Sequence, residues 1–155
     1  MNIRKATIED IDILIKLRIE YLIADRGGLT AEEKAAIQTQ LITYFSKNIN
    51  NSFIAVFAEK DDCVVSTAFL AISEKPANPS FITGKTGTIL NVLTYPKYRR
   101  QGLATKVLNA LIDEARQLGL SSIDLSASSE GKPLYQKLGF TETKTKYTPM
   151  KLQLV

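Results

Sequence analysis

The chain is predicted to fold as a mixed α/β domain, a mostly antiparallel sheet of six to seven strands with about four helices on its two sides. Runs rich in β-branched residues, typical of strands, alternate with segments whose apolar residues recur at helical spacing. Residues 88–118 give the plainest case, because a buried strand, a basic turn with a glycine and an amphipathic helix follow one another there. A length of 155 residues suits one domain, residues 1–155.

The N-terminal part is predicted to form a short strand and two helices. Residues 3–6 read as the strand. Thr7 with Asp10, and Thr30 with Glu33, have the spacing of capping boxes, in which two side chains bind the first free amides of a helix. Apolar residues at helical spacing follow each box, so we expect a pair of helices before residue 50.

A β-hairpin is predicted next. Residues 53–58 and 64–72 are rich in β-branched and aromatic residues, and they flank the polar turn 59–62. Residues 73–85 contain two prolines and a glycine, so they read as a long irregular connection to the central strand, 88–94. Loops of this length are often functional.

The central strand is followed by the longest amphipathic helix of the second half. Pro96 closes the strand because it has no N–H to donate to a sheet. Apolar residues then recur from Leu103 to Leu118, and Gly119 has the position of a left-handed helix cap.

Four further elements complete the prediction. Residues 122–127 make a strand, Pro133 starts a short helix that ends at Gly139, and residues 140–143 and 147–154 form a final strand pair.

Composition excludes several classes of function. The chain has no histidine and only one cysteine, Cys63, so the common zinc sites, His-based triads and an internal disulfide are unavailable, and no metal site is predicted. The net charge of +4 permits an anionic partner, but basic and aromatic residues are not interleaved as a nucleic-acid platform requires. No signal peptide or membrane span is recognisable, which predicts a cytoplasmic protein.

The turn before the long helix is predicted to bind phosphate. A strand, a glycine turn and a helix gather free amide N–H groups at the positive end of the helix dipole. Arg99 and Arg100 add permanent positive charge that can fork onto phosphate oxygens. Neither a nucleotide-triphosphatase loop nor a dinucleotide fingerprint is present, and what remains is R-x-x-G-x-A, from Arg99 to Ala104.

This loop resembles the pyrophosphate loop of the GNAT superfamily of N-acetyltransferases, which use acetyl-coenzyme A. A second motif of that family reads roughly A-x-x-L-Y-x-K-x-G-F, and residues 133–140, PLYQKLGF, are similar to it. The two motifs occur in the family's order, with one helix and one strand between them. The resemblance covers almost the whole chain and implies a GNAT-like sheet with a splayed central strand pair.

The resemblance also implies site residues. Main-chain groups of the central strand would bind the pantetheine arm, the turn amides would bind the pyrophosphate, and a serine stands where many members have an asparagine. The implied cofactor contacts are Val92, Leu93, Thr94, Arg99, Arg100, Gln101, Gly102, Leu103, Ala104, Thr105 and Ser128. Tyr135 would act on the leaving thiolate, and a hydrogen bond to the developing charge is easier than full proton transfer.

The acceptor is left open by the sequence. The resemblance implies an enzyme that acetylates a primary amine of a small molecule or a peptide, with a coenzyme A-binding module without turnover as the alternative. It allows a homodimer and involves no nucleic acid or membrane. The N-terminal helix pair and residues 73–85 are expected to build the acceptor side, and Glu20, Asp25 and Glu74 are candidate bases.

Overall fold

The computed structural model describes residues 1–155 and contains one five-stranded sheet with helices on both faces. The strands are β1 (Asn2–Lys5), β2 (Phe53–Lys60), β3 (Cys63–Glu74), β4 (Lys85–Thr94) and β5 (Ser122–Asp124). The helices are α1 (Ile11–Arg26), α2 (Ala31–Asn48), α3 (Leu103–Gln117) and α4 (Lys132–Lys137). The spatial order is β1-β2-β3-β4-β5, antiparallel from β1 to β4 and parallel between β4 and β5.

Both predicted capping boxes are present. Thr7 and Asp10 cap a short 3-10 turn that leads into α1, and Thr30 and Glu33 cap α2. α1 ends at Gly27, whose φ of 80° is the left-handed conformation that glycine adopts at little cost. These local signals fix where the helices begin and end, as the sequence predicts.

Alternating side chains of β2 and β3 build two separate cores. Phe53 and Phe57 point toward α1 and α2, where they join Phe45 and Phe69, whereas Ile54 and Leu70 point toward α3. Because both faces are covered, the middle of β2 is buried without alternation, and the sheet carries helices on both sides.

The β2–β3 hairpin closes with a tight turn. Asp61 and Asp62 have φ values of 52° and 61°, and Lys60 pairs with Cys63. Two consecutive residues at positive φ match the twist of antiparallel strands, and Asp tolerates this conformation better than most residues. The predicted hairpin is confirmed.

A bulge in β4 interrupts its pairing with β3. Thr67 pairs with Leu93 and Phe69 pairs with Leu90, so β4 carries one extra residue between these pairs. Asn91 lies there with a φ of 56° and is buried. The β4–β5 ladder ends at Thr88 and Asp124, and the residues that continue from both strands line a common cavity.

The predicted sheet of six to seven strands is wrong in number, because no strand forms after α4. Residues 141–155 are exposed throughout, including Leu152 and Leu154 at 82% and 84%. A strand pair needs a buried face for stability, and these side chains find none. Pro149, inside the second expected strand, also removes a donor. β5 is likewise shorter than the predicted strand 122–127.

The connection between β3 and β4 lies at the start of β4. Thr83 donates its N–H to the Ser121 hydroxyl at 2.9 Å, and Lys75 donates its N–H to the Gly84 carbonyl at 2.8 Å. The loop therefore packs at the end of β4 remote from the basic turn. None of the four helices combines the length and the apolar composition that a membrane span requires.

Candidate active site

Free amide groups collect at the start of α3. The N–H groups of residues 100–105 donate to no backbone acceptor, and Gly102 provides no side-chain cap for the helix. Arg100 and Gly102 have φ values of 63° and 74°. Left-handed residues in such a turn allow neighbouring amides to converge on one anion. The dipole of α3 adds positive potential at the same point. This loop has the properties of an anion-binding site.

A cavity of about 450 Å³ lies against these amides. It is walled by the end of β4, the basic turn, the first turn of α3 and the start of α4. The predicted cofactor contacts among its lining residues are Val92, Leu93, Thr94, Arg99, Arg100, Gly102, Leu103, Ala104, Thr105 and Ser128. Gln101 is the one predicted contact that does not line it. We call this space the cofactor cavity.

The two arginines of the turn differ in their roles. Arg99 donates from Nε to the Thr94 carbonyl oxygen at 3.0 Å and so ties the turn to the end of β4. Arg100 forms no ion pair and is exposed beside the free amides. An exposed guanidinium without a carboxylate partner is available to a phosphate.

Two carbonyl oxygens at the end of β4 already accept hydrogen bonds from side chains of the protein. Ser66 donates its hydroxyl to the Leu93 carbonyl oxygen at 3.1 Å, and the Thr94 carbonyl oxygen accepts from Arg99. A carbonyl oxygen has two lone pairs, so each can accept a second hydrogen bond. β5 pairs no further than Asp124, so it leaves this edge of β4 free.

Tyr135 stands where two cavities meet. Its half-buried side chain lines the cofactor cavity and also a second cavity on the α1 side. Burial, followed by the nearby Tyr21, raises the pKa of the Tyr135 hydroxyl above its ordinary value. A Cβ added at Gly131 would lie 3.1 Å from the Tyr135 ring and 3.2 Å from the Ser128 hydroxyl, so glycine there makes room for the ring.

The second cavity has a volume of about 650 Å³ and lies between α1, β4 and the segment after β5. We call it the acceptor cavity. Its lining residues from α1 and β4 include Arg18, Tyr21, Ala24, Asp25, Asn91, Val92 and Leu93. Neither residues 73–85 nor α2 contribute to its lining. Of the segments expected on the acceptor side, α1 alone contributes lining residues.

Of the three candidate bases, only Asp25 lines the acceptor cavity. The Glu20 carboxylate accepts a short hydrogen bond from the Tyr95 hydroxyl and lies near Lys16. Burial and this carboxylate raise the pKa of Tyr95, so Tyr95 keeps its proton. Glu74 lines a separate pocket with Lys85 at the far end of β4.

Arg18 and Asn91 line the acceptor cavity and were not among the site residues predicted from the sequence. Arg18 donates from Nη1 to the Asn91 side-chain oxygen at 3.4 Å, and Asn91 donates from Nδ2 to the Leu17 carbonyl oxygen at 3.3 Å. Two features of the sequence could have indicated these residues. Arg18 shares the inward face of α1 with Leu14, and Asn91 is a polar residue within an apolar strand.

The chain is similar to known proteins over most of its length. Residues 18–140 match the Acetyltransferase (GNAT) family. A predicted acetyltransferase from Clostridium acetobutylicum, solved with acetyl-CoA, superposes with a TM-score of 0.83 and 33% identity over 97% of this chain and 95% of its own. A GCN5-related N-acetyltransferase from Ralstonia eutropha JMP134 shares the fold, with a TM-score of 0.78 and 24% identity over 96% and 97% of the two chains.

A curated relative matches over a shorter segment. The ribosomal protein bS18-alanine N-acetyltransferase of Escherichia coli K12 is 36% identical over 58 residues, which cover 36% of this chain and 39% of the relative. The aligned segment thus spans about two fifths of that relative. The match over residues 18–140, which confirms the enzyme class predicted from the sequence, shows that this chain belongs to the acetyltransferase (GNAT) family.

Proposed function

We propose that this protein transfers an acetyl group from acetyl-coenzyme A to a primary amine by direct attack of the amine. The observation that supports this most is the junction at Tyr135, where a cavity lined by free amides meets a second cavity of small-molecule size. Two cavities that share a wall allow two substrates to meet without a covalent enzyme intermediate.

The cofactor cavity has the chemistry that acetyl-coenzyme A requires. The amides of residues 100–105 and the Arg100 guanidinium suit a diphosphate, and a Cβ at Gly102 would project into space with no protein atom within 4 Å. The free edge of β4 at residues 92–94 suits an extended amide-containing arm. When bound, acetyl-coenzyme A supplies a thioester carbonyl carbon that an amine can attack.

We assign Tyr135 as the residue that interacts with the leaving sulfur of coenzyme A. Its hydroxyl proton is available at neutral pH, and the raised pKa makes complete transfer of that proton less favourable. The residue therefore acts as a hydrogen-bond donor that stabilises developing negative charge.

We assign Asp25 as the base that accepts a proton from the amine. An alkylamine is mostly protonated at pH 7, so a base must accept a proton before the attack. Asp25 is the only carboxylate that lines the acceptor cavity, and it is solvent-exposed, so a water molecule can connect the two groups.

The proposal is tested first by ligand-dependent stability. Acetyl-coenzyme A at a hundred times its dissociation constant should raise the free energy of unfolding by about 2.7 kcal/mol, whereas NAD and ATP should have little effect. Free thiol release with a panel of amines then measures turnover. Stabilisation by NAD and not by either coenzyme would reject the proposal.

The same experiment tests two alternatives, a peptide acceptor and a binding module without turnover. The similarity to the ribosomal protein alanine N-acetyltransferase favours a peptide N-terminus, so the panel includes a peptide that begins with alanine. Acetyl-coenzyme A binding without thiol release from any amine would favour a binding module. The expected homodimer is tested by sedimentation of the same samples.

A further inference from the structure

The acceptor cavity contains a positive charge that the protein does not neutralise. Arg18 is half-buried, and it takes part in none of the molecule's ion pairs. Its one hydrogen bond to a side chain is the 3.4 Å contact with Asn91, although a guanidinium has five N–H donors. Arg4, by contrast, pairs with both Asp10 and Glu59.

Burial of this guanidinium is unfavourable without a partner. Loss of solvent is the main cause that lowers the pKa of Arg18, and an arginine stays charged nevertheless. The groups around it are Tyr21, Asp25 and Arg26 on its own helix, Tyr44 on α2 and Asn91 on β4. Asp25 is the only carboxylate among them, two turns away on α1 and exposed. A charge left in this state is available to a bound anion.

The anion is not the diphosphate of the cofactor. Arg18 lines the acceptor cavity and does not line the cofactor cavity, where residues 100–105 hold the free amides. The charged residues that line the acceptor cavity are Arg18, Asp25 and Arg99, one acid against two bases. Such a lining is unfavourable for a polycationic acceptor and favourable for one that carries negative charge.

The geometry points to a small acceptor that carries a carboxylate or phosphate besides its amine, with the anionic group bound by Arg18. This inference rests on the proposed acetyl transfer and specifies its substrate class. A planar guanidinium binds either anion through two parallel hydrogen bonds, so the oxyanion is the shared chemistry. The cavity of about 650 Å³ is within the usual range for a small-molecule site.

Matched pairs of amines test the inference. ω-Amino acids from glycine to 5-aminopentanoate are compared with their carboxamides, and O-phosphoethanolamine with ethanolamine, in thiol release with saturating acetyl-coenzyme A. At least one acid or phosphate should exceed its neutral partner by about tenfold to a hundredfold in kcat/KM, because a charged hydrogen-bonded pair is made. The two series distinguish carboxylate from phosphate. Equal rates within every pair would overturn the inference.

Variants of Arg18 test whether this residue causes the preference for anionic amines. Arg18→Met should abolish the preference for the anionic amine, whereas Arg18→Lys, which keeps the charge but not the fork, should retain part of it. Arg26→Met removes a charge from the same helix outside the cavity, and the preference should stay within about twofold of the parent chain. An unchanged preference in Arg18→Met would overturn the inference, and unchanged acetyl-coenzyme A affinity verifies that each variant is folded.

A binding measurement separates this inference from the proposed function. N-acetyl-β-alanine and its carboxamide are titrated by calorimetry into the protein saturated with coenzyme A. Tighter binding of the acid that is lost in Arg18→Met supports the anion site even if no amine turns over. Turnover of neutral amines without any preference for the acid would keep the acetyltransferase and reject the anion site.

Discussion

Single residues decide the chemistry at the junction of the two cavities. Tyr135 lines both of them, and Gly131 leaves room for its ring. The raised pKa of the tyrosine follows from burial and not from a hydrogen bond to a base, so the hydroxyl is a donor over the whole physiological pH range.

Tyr135→Phe should lower kcat by about tenfold to a hundredfold and change acetyl-coenzyme A affinity by less than about twofold. The ratio of parent to variant rates should also stay constant from neutral pH to about pH 9.5, since burial raises the pKa of the hydroxyl. Steady-state thiol release and calorimetry measure the two effects. An unaltered kcat would reduce Tyr135 to a packing residue.

Gly102 is the residue on which phosphate binding by the turn before α3 should depend. Gly102→Glu should weaken acetyl-coenzyme A binding at least about a hundredfold, because a carboxylate would enter the space beside the free amides. Gly102→Ala is the matched control, since both side chains strain a φ of 74° by about 1–2 kcal/mol. The alanine variant should bind more tightly than the glutamate variant in calorimetry. Equal affinities would show that the amides do not hold a phosphate.

At the scale of elements, the bulge in β4 depends on Asn91. The residue combines a φ of 56° with side-chain hydrogen bonds to α1. Asn91→Gly should lose only the side-chain contacts, whereas Asn91→Ala should also place a Cβ in the left-handed region. We expect alanine to destabilise the fold by about 1 kcal/mol more than glycine, measured by urea unfolding. The opposite order would mean that the strand does not keep its bulge.

A partly buried ion pair joins β1 to the residue that precedes α1. Arg4 contacts Asp10 through two hydrogen bonds of 2.8 and 2.9 Å, and this pairing lowers the pKa of the Asp10 carboxyl. A pKa lower in the folded than in the unfolded chain gives stability that is present above about pH 4 and is lost as the pH falls further.

Asp10→Asn should therefore lower the free energy of unfolding by about 2 kcal/mol at pH 7, and the deficit should shrink below about pH 4. Asp12→Asn is the control, because Asp12 is exposed in the first turn of the same helix and should cost no more than about 1 kcal/mol. Denaturant titrations at several pH values measure both. A deficit independent of pH would exclude the ion pair as its cause.

At the scale of the whole molecule, one sheet joins two cores. Leu14 packs on the α1–α2 side and Leu108 on the α3 side, and both are fully buried. The expected single domain implies that neither core unfolds alone.

Leu14→Ala and Leu108→Ala should each destabilise the chain by about 2–5 kcal/mol, because each removes the same buried apolar groups and leaves an empty space in the core. In both variants tyrosine fluorescence and far-ultraviolet circular dichroism should report one common transition. A variant in which the two signals separate would show that the two faces are independent units.

The sequence alone determined the features that depend on neighbouring residues. The capping boxes at Thr7 and Thr30 and the turn before Leu103 follow from local hydrogen bonding and backbone preference, and both family motifs are local as well. Most of the predicted cofactor contacts consequently line one cavity, since all but Ser128 lie within residues 92–105.

Tertiary structure alone decided the lining of the acceptor cavity and the extent of the sheet. Arg18 and Asn91 are 73 residues apart, and only the packing of α1 on a bulged β4 brings them together beside Tyr135. The strands expected after α4 did not form, because an alternating pattern makes a strand only where another surface buries one of its faces. Whether a side chain is buried, paired or left with a free charge depends on its distant neighbours, and no local pattern contains that information.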